Sequence, residues 1–430
     1  MQKIFLSFVL FFCFSSIIWA GGYQVVLQGN RQTSLGNNGV GLRPDASSIF
    51  WNPGGLSFMR NSSVMLGTNP IFGTVNYAAT DYFANTYTAT TDNPVSTPFH
   101  VFANFKPSGK CDNCKWQFGL GIYTPFGSSA KWEDGWRGQY ILQSIELQSI
   151  FFQPTVSYKI TNSLGIGAGF VYAIGKVNLQ KNIPIETTTT QLFAELDGKA
   201  EPALGFNVGL YFEPNEKLSL GVNYRSGLTI EVKNGDALFD VPSYLYDNFP
   251  QNNTFSASLP LPANLALGLS YQANMHWMFA VEAILTKWSD YEYLDIDFTT
   301  NTAVLNDIHS PRMYEDKWIP KFGVEYKPNE DFAVRAGFYY DPAPAGPGYI
   351  TPETPSANRY SFTGGFGYRF SQKINLDMSL LYIIGEKTEQ THQDLINAGT
   401  YDAAKGTQDA LEGTYRFSAI IPGFSLSYNF

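Results

Sequence analysis

The feature that most restricts this chain is a two-residue alternation of apolar and polar side chains that recurs along most of its length. In KLSLGVNYRSGLTI, Leu218, Leu220, Val222 and Tyr224 share one face of an extended chain, and Ser219, Gly221, Asn223 and Arg225 share the other. RYSFTGGFGYRF repeats the scheme, with Tyr360, Phe362, Phe366, Tyr368 and Phe370 opposed to Arg359, Ser361, Thr363 and Arg369. LGIGAGFVYAIG, WMFAVEAILTKW, FAVRAGFYY and INLDMSLLYI do the same. Successive side chains of a strand point to opposite faces, so this period predicts half-buried β-strands. A sandwich and a barrel both satisfy it.

Three observations select the barrel. The apolar faces end in aromatics, and segments of about ten residues match a tilted crossing of the hydrocarbon. The opposite faces carry Arg225, Glu282, Glu325, Arg335, Arg369 and Asp377, charges that a dry sandwich core does not tolerate unpaired. A water-containing lumen does, and these charges either serve a ligand or pair among themselves. The connections also alternate in length. KITNSLG, FEPNEKL, YQANMHW, YKPNEDF and RFSQKIN are short, whereas roughly 177–200, 232–256, 298–315, 341–357 and 385–413 are long. Outer-membrane barrels have short periplasmic turns and long external loops. About 14 strands result, beginning near 62, 99, 116, 139, 164, 203, 218, 257, 277, 318, 332, 359, 374 and 415, which leaves both chain ends on the periplasmic side.

Composition agrees: 16% of residues are aromatic and only 15% charged, against about 25% charged in an ordinary soluble domain. No stretch after the N-terminus approaches the ~18 apolar residues of a spanning helix. The net charge of −9 gives no electrostatic case for nucleic acid. At the start, Lys3 precedes the apolar run Ile4 to Phe14, broken only by Ser7, and Ile18-Trp19-Ala20 follows. This is the pattern of a signal peptide over residues 1–20, with cleavage near Ala20. At the other end, PGFSLSYNF places Phe424, Leu426, Tyr428 and Phe430 on one face and resembles the terminal signal read by the barrel-assembly machinery. The expected organisation is therefore a signal peptide, an inner segment at 21–58, and an all-β transmembrane antiparallel barrel at 59–430, in the outer membrane of a Gram-negative bacterium. Cys111 and Cys114 form a CxxC without a βαβ setting or two further zinc ligands, so they are a candidate local disulfide rather than a redox or metal site. No metal or cofactor is expected, and a monomer is.

Residues 21–58 precede the first strand, yet Tyr23, Val25, Val26, Leu27, Leu35, Leu42, Ile49, Phe50, Trp51 and Leu56 are too apolar for a solvated tail. The only interior available to them is the lumen. DASSIFWNPGGLSF then reads as a turn of a plug folded back into its own barrel, carried by Asp45, Asn52, Pro53, Gly54 and Gly55. Asn-Pro and Gly-Gly both reverse a chain. The alternative is a surface turn between two strands.

This stretch resembles the Asp-Ala...Asn-Pro-Ala-Gly-Leu signature of the FadL/TodX transporters of long-chain fatty acids and aromatic hydrocarbons, with Gly54 in place of the family's Ala. GIYTPFGSSAKWEDGWRGQY, IELQSIFFQPTVSYKITNSLGIGAGFVY, PNEKLSLGVNYRS, AILTKWSDY and VRAGFYYDPAP are similar to later blocks of the family, in the same order. The resemblance covers almost the whole mature chain. It implies passive uptake of a hydrophobic molecule, above all a long-chain fatty acid: capture at the external rim, entry into a pocket, a shift of the hatch, and lateral release into outer-membrane lipid through a kink in the third strand. In WQFGLGIYTPFG the kink is expected at Phe118, Gly119 and Gly121, where glycine weakens the ladder; glycines facing the lumen of an ordinary strand are the alternative. The fourth external loop, ALFDVPSYLYDNFPQ, offers Leu238, Phe239, Val241, Tyr244, Leu245, Tyr246 and Phe249 as a capture surface, and an exposed apolar patch of this kind suits a hydrophobic ligand. Lys176 and Arg312 are the candidates to meet a carboxylate, or are plain rim charges. Two rivals stand beside this reading. One is a general diffusion porin for polar solutes. The other is a barrel hydrolase built on Asp307 and His309, which lacks any second constellation to complete a site.

Overall fold

Fourteen antiparallel strands close on themselves in the computed structural model, which describes residues 22–80, 84–107, 115–184, 192–403 and 407–430. The expected signal peptide and the Cys111/Cys114 pair lie outside the described residues. The first seven strands are β1 (Ser63–Thr68 and Phe72–Thr80), β2 (Thr86–Thr90 and Phe99–Phe105), β3 (Trp116–Tyr123 and Gly127–Lys131), β4 (Ser144–Lys159), β5 (Leu164–Asn182), β6 (Phe193–Lys199 and Ala203–Asn215) and β7 (Leu218–Arg225 and Leu228–Asp240). The second seven are β8 (Asn253–Leu261 and Asn264–Gln272), β9 (Trp277–Thr286 and Tyr293–Phe298), β10 (Ile308–Pro311 and Lys317–Tyr326), β11 (Phe332–Asp341), β12 (Arg359–Arg369), β13 (Ile374–Gly385 and Thr388–Gln390) and β14 (Gly413–Asn429). Closure comes from β1 against β14, in register from Ser63↔Asn429 to Thr68↔Phe424. Among the described residues each of the fourteen strands pairs with both of its neighbours, so the sheet closes as a bilayer requires.

The alternation resolves as expected. Leu220, Val222 and Tyr224 face outward while Ser219, Asn223 and Arg225 are buried inside. Outward aromatics form a band near the short turns, where Trp116 packs on Tyr158 and Trp277 on Tyr326, each with ring centroids 4.6 Å apart. The five expected short turns join the expected strands.

The external loops need correction. β2 begins at Thr86 rather than near 99, β6 at Phe193, β8 at Asn253 and β10 at Ile308, so much of 177–200, 232–256 and 298–315 is ladder. Beyond the membrane the outward face turns polar, as in the Asn178↔Asp197 pair, while the inward face becomes apolar, as in Leu179↔Leu196, so the lipid-facing apolar stripe that marks the spanning part ends. These extensions of β5 to β10 enclose their own apolar cluster, including Ile183, Leu196, Val232, Phe239, Phe255 and Phe298.

Residues 22–58 lie within the wall. They form helical turns at Asn30–Ser34 and Ser48–Trp51 and a 3₁₀ turn at Pro53–Phe58. The first packs on β11 to β14, and the last on β3 to β6 across the lumen.

Candidate functional site

Asn52 organises the inner segment. Its side-chain oxygen accepts from Gly54 N at 3.1 Å, and its amide donates to Val40 O and, across to the wall, to Leu210 O of β6, both at 2.9 Å. One side chain thereby satisfies the turn and ties it to the barrel, in the manner of Asx side chains that mimic turn hydrogen bonds. Asp45 accepts from Ser47 N at 2.9 Å and from Gln32 Nε2 at 2.8 Å, joining the two helical turns. Gly54 lies so close to the wall that a Cβ there would come 2.7 Å from Gly209 O.

The lumenal charges Glu282, Lys321 and Arg225 meet the inner segment, and Arg335 meets carboxylates of the wall. Glu282 accepts from Gly39 N and Val40 N, both at 2.8 Å, and pairs with Lys321 at 3.2 Å; Lys321 also donates to Asn37 O at 2.7 Å. Arg225 donates to Phe50 O at 2.6 Å with its guanidinium 3.6 Å over the Phe50 ring. Arg335 joins Glu325 at 2.7 Å and Asp377 at 2.6 Å. Burying a charge is tolerated only with such partners.

The third strand is interrupted, but not where glycine suggested. Phe118 to Gly121 sit in an unbroken ladder with both β2 and β4. Gly119 and Gly121 instead make room for Ile49 of the inner segment: a Cβ on them would come within 2.7 Å and 3.0 Å of its side chain. The break falls at Thr124-Pro125-Phe126. Among the described residues, no ladder pair joins 93–98 of β2's interruption to 125–130 of β3. Pro94, Pro98 and Pro125 have no N–H to give. In their place the inner segment lends its own backbone. Val25 N donates to Pro125 O at 2.8 Å and Gly127 N to Tyr23 O at 3.1 Å, with Gln24 opposite Phe126. Tyr23 is wedged among aromatic rings, 5.1 Å from Trp288 and 5.8 Å from Tyr291 between centroids.

Above this patch lies a cavity of about 600 Å³. It is walled mainly by apolar side chains, among them Val26, Ile71, Phe99, Ile319, Leu381 and Phe417, and it reaches both sides of the β2–β3 interruption. That size and lining suit a small organic molecule.

The remaining expected residues divide. Of the fourth loop, Leu238, Tyr244 and Tyr246 are exposed and Leu245 is half-buried. Phe239, Val241 and Phe249 are instead buried in the apolar cluster of the extensions: β7 continues to Asp240 and turns Phe239 inward, and the loop beyond it folds Phe249 onto Phe239, ring centroids 5.5 Å apart. Lys176 is exposed and pairs with Glu146 at 3.6 Å. Arg312 is buried and bound to Glu353 at 2.6 Å; burial works against its charge, but Glu353, Tyr291 and Tyr314 hold it above its ordinary pKa. Neither cation lines the cavity. Asp307 caps a turn, accepting from Phe298 N at 2.8 Å, and His309 pairs with Asp295 instead, so the acid–base pair considered for a hydrolase does not form. Phe430 is exposed at the end of β14. The interruption and the cavity cation Arg359 were missed. Two prolines in NPVSTP and one in YTPFG signal the first, and the polar-face position of Arg359 at a strand start signals the second.

The pattern of the family described as outer membrane protein transport protein (OMPP1/FadL/TodX) matches residues 11–430. A putative outer membrane protein of Neisseria meningitidis is 22% identical, over 96% of this chain and 95% of its own. The long-chain fatty acid transport protein of Escherichia coli is 22% identical, over 67% and 71%. Among solved structures, a Pseudomonas aeruginosa FadL homologue superposes with a TM-score of 0.79 at 19% identity, covering 95% of this chain and 100% of that one. The Pseudomonas putida toluene transporter TodX gives 0.68 at 18%, over 96% and 99%.

Proposed function

This chain belongs to the OMPP1/FadL/TodX family of outer membrane transport proteins, and from that premise we propose that it admits long-chain fatty acids by passive diffusion and releases them sideways into the membrane. It is an outer-membrane transporter of hydrophobic compounds and not an enzyme. The observation that carries the finer reading is the cavity, which extends to the β2–β3 interruption and is bordered there by Tyr23 to Leu27. The exposed Leu238, Tyr244 and Tyr246 collect the ligand at the rim. It passes into the cavity, displaces Tyr23–Val25 from the interruption of β3, and leaves between β2 and β3. Asp45, Asn52, Pro53, Gly54 and Gly55 hold the rest of the inner segment as a hatch that keeps the lumen closed to water. The size of the cavity favours a long chain over a single aromatic ring, which would leave most of about 600 Å³ unfilled.

Expression in a bacterium lacking its own fatty-acid uptake protein tests this. Growth on oleate as sole carbon source is the expected result. Growth restored on toluene alone would move the substrate to the hydrocarbons, and no growth on either would remove the transport reading.

A further inference from the structure

The stretch that fills the interruption of β3 joins the anchored part of the inner segment through Gln28, a residue only 1% exposed. The Gln28 side-chain amide donates twice, each time at 3.1 Å: to Val25 O of the patch and to Thr124 O of β3. Thr124 directly precedes Pro125, where the ladder stops. One NH2 group thus holds the patch and the strand it covers to each other. The backbone carbonyl of the same residue accepts from Trp51 Nε1 at 2.6 Å, which ties it to the helical turn Ser48–Trp51. Just beyond, Gly29 has a φ of 103°, a conformation that residues with a Cβ rarely adopt. The turn Asn30–Ser34 is then fixed to the wall, where Asn30 Oδ1 accepts from Asn69 at 2.7 Å and from Ser379 at 2.5 Å. Residues 23–27 therefore hang from an anchored point, and Gln28 stands at that point.

Both donors of the Gln28 amide are used, yet its Oε1 is buried with no hydrogen-bond partner. A buried acceptor left unmade costs free energy, so one side chain both fastens the closed arrangement and limits how firmly it is fastened. From this geometry we infer that Gln28 is the clasp of the lateral doorway: it sets how often Tyr23–Val25 leave β3, and hence the rate of ligand release, without touching the ligand. The inference rests on the lateral-release reading above and assigns the rate of that step to a residue. Gln24 to Leu27 line the cavity, and Gln28 does not. A group with no differential contact to the ligand cannot shift its binding equilibrium. A clasp therefore changes traffic through the doorway in both directions, whereas a residue that shapes the cavity changes the dissociation constant. Gln28 is in this sense a positioning residue, and the two roles give different readouts.

The test uses the full-length protein in phosphatidylcholine vesicles, with a fluorescent dansyl-labelled undecanoate bound beforehand and its release followed by stopped flow on mixing with excess oleate. Gln28→Met fills similar space and donates nothing. It is expected to raise the release rate roughly tenfold, for the loss of two hydrogen bonds, with the dissociation constant unchanged within about twofold. In protein that also carries Gln24→Cys and Phe126→Cys, oxidation is expected to slow release and erase the effect of Gln28→Met, and reductant to restore it. An unchanged release rate in Gln28→Met, a rate change matched by the dissociation constant, or an effect that survives oxidation of the Cys pair would overturn the clasp. Should Gln28→Met fail to give the folded form, read from its heat-dependent mobility on gels, Gln28→Glu takes its place with the same expectation, since a carboxyl has at most one proton to donate. Release that ignores oxidation of the Cys pair while Gln28 is intact would remove the lateral route itself, so the two failures are told apart.

Discussion

Lys321 donates to the carbonyl oxygen of Asn37 at 2.7 Å, so a wall strand grips the one non-glycine residue of 22–58 that adopts a positive φ, 55°. Asn tolerates that conformation better than most residues, but it still needs support from its surroundings. The same ammonium pairs with Glu282, whose carboxylate holds the next backbone N–H groups, of Gly39 and Val40. Both Lys321 and Asn37 border the cavity, so ligand space and hatch backbone meet at this contact.

Lys321→Met should therefore loosen the hatch without opening the barrel. It strands Glu282 as a buried charge, and breaking a buried pair from one side costs about 3–5 kcal/mol. The expected outcome is faster proteolysis within 22–58 at unchanged strand content by circular dichroism. Unaltered protease resistance would mean that the two backbone donors suffice for Glu282.

Deleting residues 24–56 should leave a folded barrel, because the ladder of β1 to β14 does not include them. In planar bilayers the deletion is expected to give large, steady conductance where the intact protein gives almost none. Asn52→Ala, which removes three hydrogen bonds at one stroke, should fall between. A deletion that conducts no more than the intact protein would return this segment to the status of a packed structural insert.

Gln24 and Phe126 stand opposite each other as a bridge pair, at a spacing that suits a disulfide. Replacing both by Cys should stop fatty-acid uptake under oxidising conditions and restore it with reductant. Uptake indifferent to the redox state would show that the ligand leaves by another path.

For the capture loop, Leu238→Asp with Tyr244→Asp should slow uptake and leave the midpoint of thermal unfolding nearly unchanged, since both side chains are exposed. Phe249→Asp should instead unfold the apolar cluster of the extensions, as it places a charge where an aromatic ring is buried. Uptake unaffected by the exposed pair would remove this loop from the capture step.

The helix His392–Ala398 in the last external loop carries a pH dependence of definite sign. Hydrogen bonds from the Thr391 side chain and backbone hold the Asp394 carboxyl below its ordinary value. A depressed carboxyl stabilises above its unfolded pKa of about 4 and stops doing so as pH falls through the folded value. Amide exchange over 392–398 should accordingly be flat from neutral pH to about 5 and rise only in acid once corrected for intrinsic rates. Asp394→Asn should abolish the acid rise.

The strand count and closure were legible because the two-residue period is strongest where the wall faces lipid, as in Leu220, Val222 and Tyr224. The extensions look like loops in the sequence because their outward face is polar, with Asn178, Asp197 and Asp236 paired across it, and their apolar stripe, Leu196, Ala237 and Phe239, faces inward instead of toward lipid. In the sequence Gly119 and Gly121 fit either a kink, because glycine can weaken a ladder, or lumen-facing positions of an ordinary strand, and the fold takes the second. Those glycines clear space for Ile49, and the prolines break the pairing. Arg359 is visible as a polar-face residue, but its place on the cavity wall is a fact of three dimensions: only the fold brings Phe417 and Gly385 beside it.

The patch that completes β3 comes from Tyr23–Val25, a segment that belongs to no barrel strand. Moving it aside costs two backbone hydrogen bonds to β3, the Tyr23 hydroxyl's bond to Pro260 O and the ring contacts of Tyr23 with Phe126, Trp288 and Tyr291, and touches none of the pairs that close β1 on β14. The wall can therefore be made as rigid as the membrane demands while the doorway keeps its own, separately adjustable, barrier. Substitutions at Tyr23 or Trp288 would set how fast the door swings, and substitutions in the ladder how long the building stands.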